Sequence, residues 1–315
     1  MKRKRTARKS RTRVARLHAP ATVNALVRTA AARLKRAKVV FAHGTTDPAA
    51  EAAFIVAETL KIHPDRVEAL AGRGVRAAQQ QAIEALVARR IETRKPAAYL
   101  LKRIYMHGVP FHIDERAIVP RSYIGEILDD ELFETLIDPS KVKSVLDLCT
   151  GSGCLAILAA MRLPKAKVDA ADLSKDALAV ARKNVVLHRM QRRVRLAHGD
   201  LFAPLAGRRY DLIVSNPPYV DARGMRGLPP ECRHEPALAF DGGKDGIAVV
   251  RRIIEHAGRH LTSGGGLLCE VGRCRPALER AYPQMRFLWL DTEASSGEVF
   301  WLDATQLTVI PGRPR

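Results

Sequence analysis

The sequence predicts an α/β protein: a mostly parallel, doubly wound sheet preceded by a small helical domain. Three observations predict it. From Lys141 onward, short apolar runs alternate with helical segments, the rhythm of strands joined by crossover helices. Between residues 20 and 95, apolar residues recur at helical spacing. Between these regions lies a short apolar stretch broken by Gly108 and Pro110, which suits a hairpin. A chain of 315 residues has room for about two such domains.

The elements follow in order. Residues 1–19 form a basic arm. Val23, Leu26, Val27, Ala30 and Leu34 then share one helical face. Asp47-Pro48 reads as an N-cap followed by proline at the first helical position, opening a helix whose stripe is Ala52, Ile55, Val56, Thr59 and Leu60. A third helix spans 77–94, with Ile83, Leu86, Val87 and Ile91 inward, until Lys95-Pro96 stops it. Residues 20–103 thus read as a helical domain, expected to recognise a substrate of the domain that follows, and 104–120 as a hairpin linker. The catalytic domain covers 121–303, with a tail at 304–315. Its strands are expected at 144–148, 167–171, 194–197, 210–215, 266–270, 287–290 and 298–302. Helices are expected at 154–162, 175–188, 247–260 and 276–282. Trp289 and Trp301 fall on neighbouring strands and read as core; His107 and His112 read as hairpin surface.

Composition narrows the function classes. Hydrophobic residues make up 47% of the chain, too many for a largely disordered one. The longest charge-free run, residues 148–161, has 14 residues and two glycines, too short and broken to span a bilayer. No apolar signal core is present near the N-terminus, so a cytoplasmic protein without membrane attachment is expected. Lys and Arg number 53 against 33 Asp and Glu, a formal charge of +20. The first 38 residues carry 14 of these cations and no acid, leaving only +6 for the rest. Such an arm is drawn to polyanions by counterion release, without sequence readout, so contact with a nucleic acid is one expectation. A solvated tail or an Arg-rich presequence accounts for it as well. Cys149, Cys154, Cys232, Cys269 and Cys274 show no C-x-x-C pairing, so reduced thiols and no metal site are expected.

Two motifs carry chemistry. The first predicted strand runs into Asp147-Leu-Cys-Thr-Gly151-Ser-Gly153-Cys154, and a helix follows. Glycines there let the backbone turn sharply beside a ligand. Gly151-Ser-Gly153-Cys-Leu-Ala156 fits G-x-G-x-x-A, and Asp172 follows 21 residues after Gly151, where an acid can hold a ribose. This leaves an NAD-type oxidoreductase and an S-adenosylmethionine methyltransferase open. Asp147 favours the second, because a carboxylate before the turn repels a pyrophosphate and suits a cationic ligand; a backbone cap would explain it too. A P-loop is excluded, since no Lys-[Ser/Thr] follows. Asp200, after the third strand, would join Asp147 and Asp172 in the crevice at the carboxyl ends of the strands.

The fourth strand ends in Asn216-Pro217-Pro218-Tyr219. Prolines cannot donate backbone hydrogen bonds, so their carbonyls stay available as acceptors, and Asn216 adds a side-chain carbonyl. Two acceptors hold both hydrogens of a planar –NH2 group, and Tyr219 supplies a wall. An amide or base amine is a weak nucleophile, and positioning in line with a sulfonium methyl is what such a site offers. A rigid turn is the bland alternative. Together the two motifs favour a methyltransferase.

These segments, with Asp172-Leu-Ser174 and Asp200-Leu-Phe202, resemble the protein glutamine-N5 methyltransferases over about residues 20–303. The resemblance implies a class I, Rossmann-like, seven-stranded methyltransferase sheet using S-adenosylmethionine. It implies that Asp147, Gly151 and Gly153 meet the methionine part, Asp172 the ribose, and Asp200 with Leu201 the adenine. Asn216 borders the cofactor and, with Pro217 and Pro218, forms the catalytic grip on the amide beside Tyr219. Val119-Pro120-Arg121-Ser122, and the run from His234 through Phe240 to Gly246, are similar to the branch that modifies the third protein of the large ribosomal subunit. Tyr123 stands where that branch more often has proline. Arg121 is then a cation facing substrate or cofactor, or a salt bridge locking the hairpin. Glu235-Pro236 closes the active-site loop or caps a turn. The competing functions are methylation of a base amine in RNA or DNA, glutamine methylation of release factors, and non-catalytic ribosome assembly.

Overall fold

The computed structural model describes residues 21–41, 45 and 47–308; the basic arm at 1–19 and the tail beyond 308 lie outside them. Helix α1 (Val23–Arg36) is capped by the Thr22 hydroxyl, which accepts from the Ala25 amide at 3.3 Å. Helix α2 (Pro48–Leu60) starts as the Asp-Pro pair predicts, Asp47 accepting from the Ala49 and Ala50 amides at 2.7 and 2.9 Å. Helix α3 (Ala77–Thr93) packs beside them, and α4 (Ala97–Leu101) follows at once. Leu26, Leu34, Ile55, Val56, Ile83 and Val87 form this domain's own core.

Strands β1 (Ile104–Met106) and β2 (Val109–Phe111) form the expected hairpin. It belongs to the catalytic core, however, because Ile104, Met106 and Phe111 are buried against the sheet's helices. The fully buried Asn184 fastens it there. Its side chain accepts from the His112 amide at 2.7 Å and donates at 2.9 Å to both the His112 and Ser152 carbonyls. Helices α5 (Ile124–Asp129) and α6 (Glu131–Leu136) were not anticipated; six residues are too few to display a helical period.

The sheet then builds from β3 (Ser144–Leu148), α7 (Cys154–Arg162), β4 (Lys167–Asp172), α8 (Lys175–Leu187), β5 (Val194–His198) and β6 (Tyr210–Ser215). After the short α9 (Ala222–Arg226) come α10 (Ala248–Ala257), β7 (Leu261–Glu270), α11 (Arg275–Ala281), β8 (Leu288–Asp291), β9 (Ser296–Asp303) and α12 (Ala304–Thr308). Strand order is β5-β4-β3-β6-β7-β9-β8, with only β9 antiparallel to its neighbours. It is a class I methyltransferase sheet. One face is covered by α5, α7 and α8, the other by α10, α11 and α12. Strand β7 starts five residues earlier than its apolar run, through Thr262-Ser263-Gly264-Gly265. Residue 304 begins a helix, not a free tail, since Ala304 and Leu307 are buried in the second core.

Strand β3 pairs with β4 on one side and β6 on the other, so chain direction across the sheet reverses there. Such a switch point opens a crevice at the strands' carboxyl ends. Both chemical motifs begin at that point. Among the described residues, no helix is long and apolar enough to cross a membrane.

Candidate active site

Two cavities meet above the switch point. The first, about 340 Å3, is walled by Met106, Pro120, Arg121, Pro217, Tyr219 and Phe240 among others. The second, about 270 Å3, is walled by Asp172, Leu173, Asp200, Leu201, Pro218 and Arg252 among others. Ile118, Cys149, Gly151, Asn216 and Ala239 border both. The successive prolines thus face opposite chambers, and Asn216 stands at their junction.

The glycine turn is supported from beneath. Asp147 is fully buried, where it accepts from the Thr150 hydroxyl. Its other oxygen is buried without a hydrogen-bond partner, with the Ala156 amide near enough to favour the charge. Burial pushes this carboxyl up to about 7. Gly153 takes φ +81°, and a Cβ there would lie 3.1 Å from that of Ala181. Both residues shape the turn, and Gly151, between them, borders the two cavities. A buried carboxyl under a reversing chain holds the turn, while its backbone presents Gly151.

Asp172 does reach the second cavity. One of its oxygens accepts from the Gly151 amide and the other from the Ser174 amide, each at 2.8 Å. Burial raises its carboxyl above the usual range. A carboxylate has about four acceptor sites, so lone pairs remain for hydroxyl groups of a ligand. Asp200 is half-exposed and paired with Arg252 at 2.7 Å. Arg116, the other cation on this wall, is paired with Asp114 at 2.7 Å. Neither guanidinium is left over for a pyrophosphate, whereas the acids and the Leu173, Leu201 and Ala177 surface suit a nucleoside bearing positive charge.

Asn216 donates from Nδ2 to the Arg121 carbonyl at 2.7 Å. That carbonyl can only accept, so the amide's orientation is fixed by its partner. Asn216 Oδ1 takes no hydrogen bond among the described residues, nor does the Pro217 carbonyl. Two acceptors are therefore left at the chamber junction. The Ser215 hydroxyl, donating to the Leu148 carbonyl at 2.9 Å, ties the motif to the glycine turn.

Residues 119–123 form a strap across the first cavity, pinned at three points. Glu235 accepts from the Val119 amide at 2.9 Å and pairs with Arg121 at 3.5 Å. Asn216 holds the Arg121 carbonyl. Glu270, at the end of β7, accepts from the Ser122 hydroxyl at 2.7 Å and the Tyr123 amide at 3.0 Å. Arg121 pairs with Glu235 and lines the first cavity, 5.6 Å from the Phe240 ring centre. Tyr219 donates its hydroxyl to Glu270 at 3.2 Å. Its backbone is wrapped by the Phe240–Gly246 run, where a Cβ on Gly242 or Gly246 would meet Tyr219 backbone atoms at 2.7 Å.

Glu270 and Glu231 were not singled out from the sequence. Glu270 had a signal: it is the one charged residue ending the apolar run Leu267-Leu268-Cys269, at a strand end that faces the crevice. Glu231 had none. It is fully buried between the domains, where it accepts from the Val40 amide at 3.0 Å and pairs with Arg94 at 3.3 Å. Arg90, also fully buried, lies 3.6 Å from it and 2.8 Å from Glu51. The loop walling the first cavity is bolted to the helical domain by these charges.

Comparison with known proteins agrees with this architecture. The family described as Methyltransferase small domain matches residues 129–227, and the one described as PrmC N-terminal domain matches residues 25–101. A ribosomal protein uL3 glutamine methyltransferase from Bradyrhizobium diazoefficiens is 59% identical over 287 residues, 89% of this chain and 90% of that protein. Proteins of the same name from Burkholderia pseudomallei and Bordetella pertussis are 47% and 44% identical. They cover 92% and 91% of this chain, and 97% and 96% of their own lengths. A seven-stranded methyltransferase sheet, an Asn-Pro-Pro-Tyr motif at its switch point and relatives that match along nearly their whole length lead to one assignment: the chain belongs to the ribosomal protein uL3 glutamine methyltransferase family.

Proposed function

We propose that the enzyme transfers a methyl group from S-adenosylmethionine to the side-chain amide nitrogen of a glutamine in ribosomal protein uL3. The observation that carries this is Asn216: its Nδ2 is committed to the Arg121 carbonyl, so its Oδ1 accepts from an amide in the first cavity. The second cavity fits the methyl donor. Asp172 would hold its ribose hydroxyls, Leu201 beside Asp200 its adenine, and the Gly151 turn its amino-acid part. S-adenosylmethionine supplies a methyl group on a cationic sulfur, which keeps the bonding electron pair when the methyl leaves.

The chain's own residues supply positioning. Asn216 Oδ1 and the Pro217 carbonyl accept the two hydrogens of the glutamine –NH2, turning its lone pair toward the second chamber. As the nitrogen takes the methyl carbon it becomes cationic, and both acceptors stabilise that charge until one proton departs to water. Pro218, with no N–H to offer, leaves the junction free of a competing donor. Tyr219 and Arg121 wall the cavity, and the helical domain, bolted through Glu231, would grip the protein around the target glutamine. The basic N-terminal segment, to which α1 contributes exposed Arg28, Lys35 and Arg36, would bring the enzyme to ribosomal RNA in the cytoplasm.

Incubation with radiolabelled methyl donor, purified uL3 and ribosomal RNA tests this. Label on uL3 that depends on Asn216 is the expected result. Label confined to RNA would replace the glutamine with a base amine as acceptor.

A further inference from the structure

Glu270 is 1% exposed, yet every group it holds is a donor: the Ser122 hydroxyl, the Tyr123 amide and the Tyr219 hydroxyl. Three donors converging on one carboxyl call for its ionised form, which has only acceptors to offer. The donors belong to two separate walls of the first cavity. Ser122 and Tyr123 end the strap whose Arg121 carbonyl orients Asn216, and Tyr219 ends the Asn-Pro-Pro-Tyr motif. A single carboxylate therefore sets the spacing between the strap and the motif, on either side of the acceptor amide.

We propose that Glu270 is the positioning residue of the acceptor cavity: as a carboxylate it holds Tyr219 and the Ser122–Tyr123 end of the strap in register, and it releases one of them on protonation. The proposal rests on the first cavity being the acceptor site. The surroundings make the switch accessible near neutrality. Burial, with Glu298 of the neighbouring strand β9 adding like charge, pushes Glu270 up to about 7 against the pull of its three donors. The other groups facing this cluster are Glu126 of α5, which with Glu298 acts on Tyr123, and Arg121, whose positive charge acts on Tyr219. Among the described residues, none of the larger influences on Glu270 is a cation. Protonation places a hydrogen on one carboxyl oxygen, so the hydroxyl on that oxygen, Tyr219 or Ser122, must turn away or accept instead of donating, whereas the Tyr123 amide can only donate.

The test joins kinetics to a readout that needs no substrate. Single-turnover methylation of uL3 should rise with pH to a plateau above about pH 7 in the wild type. Glu270→Gln should lower the plateau roughly tenfold and flatten that limb, with methyl-donor affinity within twofold of wild type. Ser122→Ala should lower the rate less and keep the limb. In parallel, the 13Cζ resonance of Tyr219, assigned with Tyr219→Phe, should titrate with a midpoint near 7 in the wild type and stay flat in Glu270→Gln. A wild-type limb surviving in Glu270→Gln, or a Tyr219 resonance without a transition between pH 5.5 and 9, overturns the proposal. If uL3 is not the acceptor, the Tyr219 titration still decides it. Should Glu270→Gln fail to fold, the wild-type titration and the Ser122→Ala profile decide it instead.

Discussion

Replacing Asn216 separates the two halves of its amide. Asn216→Ala removes the acceptor at the chamber junction and leaves the Arg121 carbonyl without its 2.7 Å donor. Losing one preorganised acceptor of developing charge costs ~10²–10³ in rate, or about 3–4 kcal/mol of barrier. Losing that donor costs about 1 kcal/mol of stability, because the carbonyl lies beside a partly open cavity and water can replace the donor. Melting should fall by only about 2–4 °C. Asn216→Asp keeps the acceptor but sets a carboxylate oxygen against the Arg121 carbonyl, so the strap is pushed away and the rate should fall at least as far. The assay is single-turnover methyl transfer to uL3 with saturating donor, alongside calorimetric donor binding, which should change less than the rate. Asn216→Ala within threefold of wild type would refute the grip. A fully active Asn216→Asp would refute the role given to the strap carbonyl.

Asp147, pushed up to about 7 by burial, makes stability fall as pH rises. Its folded value lies above its unfolded one, so the folded state holds the extra proton, and that stabilisation disappears as pH climbs through about 7. The loss accumulates from the ordinary carboxyl range, where the unfolded chain gives up its proton, up to about 7; it is on the order of 4 kcal/mol, and denaturation midpoints measured from about pH 4.5 to 7 should slope less in Asp147→Asn than in wild type. Glu231→Ala should destabilise by about 3 kcal/mol, since among the described residues fully buried Arg90 then keeps Glu51 alone as counter-ion. Urea unfolding measures that loss, and the uL3 KM should rise alongside it. Gly153→Ala strains a φ of +81° and presses a methyl group on Ala181, so methyl-donor affinity should fall roughly tenfold while unfolding free energy drops by about 1–3 kcal/mol.

What the sequence disclosed follows from how local each signal is. The Asp47-Pro48 cap, the helix at 77–93 and the strand–turn–helix around Gly151 are written in neighbouring residues, and each stands where its pattern indicates. The reversal between β3 and β6 could be inferred because alternating strands and helices admit few topologies. The motif at Asn216 was visible, but not the reason it works, since the Arg121 carbonyl that orients it lies 95 residues away. Nor could spacing show that Asp147 is fully buried and accepts from the Thr150 hydroxyl. Glu231 and Glu270 act on partners 51 to 191 residues distant along the chain, beyond any periodicity. The short α5 and α6 escaped for a different reason: their burial against α7 and the sheet, rather than helical propensity, holds six residues in a turn and a half.

The chemical fate of the methyl group tests the central claim most directly. A methyl on a glutamine amide nitrogen leaves as methylamine when the protein is hydrolysed in acid, because the amide C–N bond breaks. Purified uL3, methylated in vitro with radiolabelled donor and then hydrolysed, should release its label as methylamine, and Asn216→Ala should abolish the release. Label that stays attached to another side chain of uL3, or that appears in RNA alone, would contradict the account.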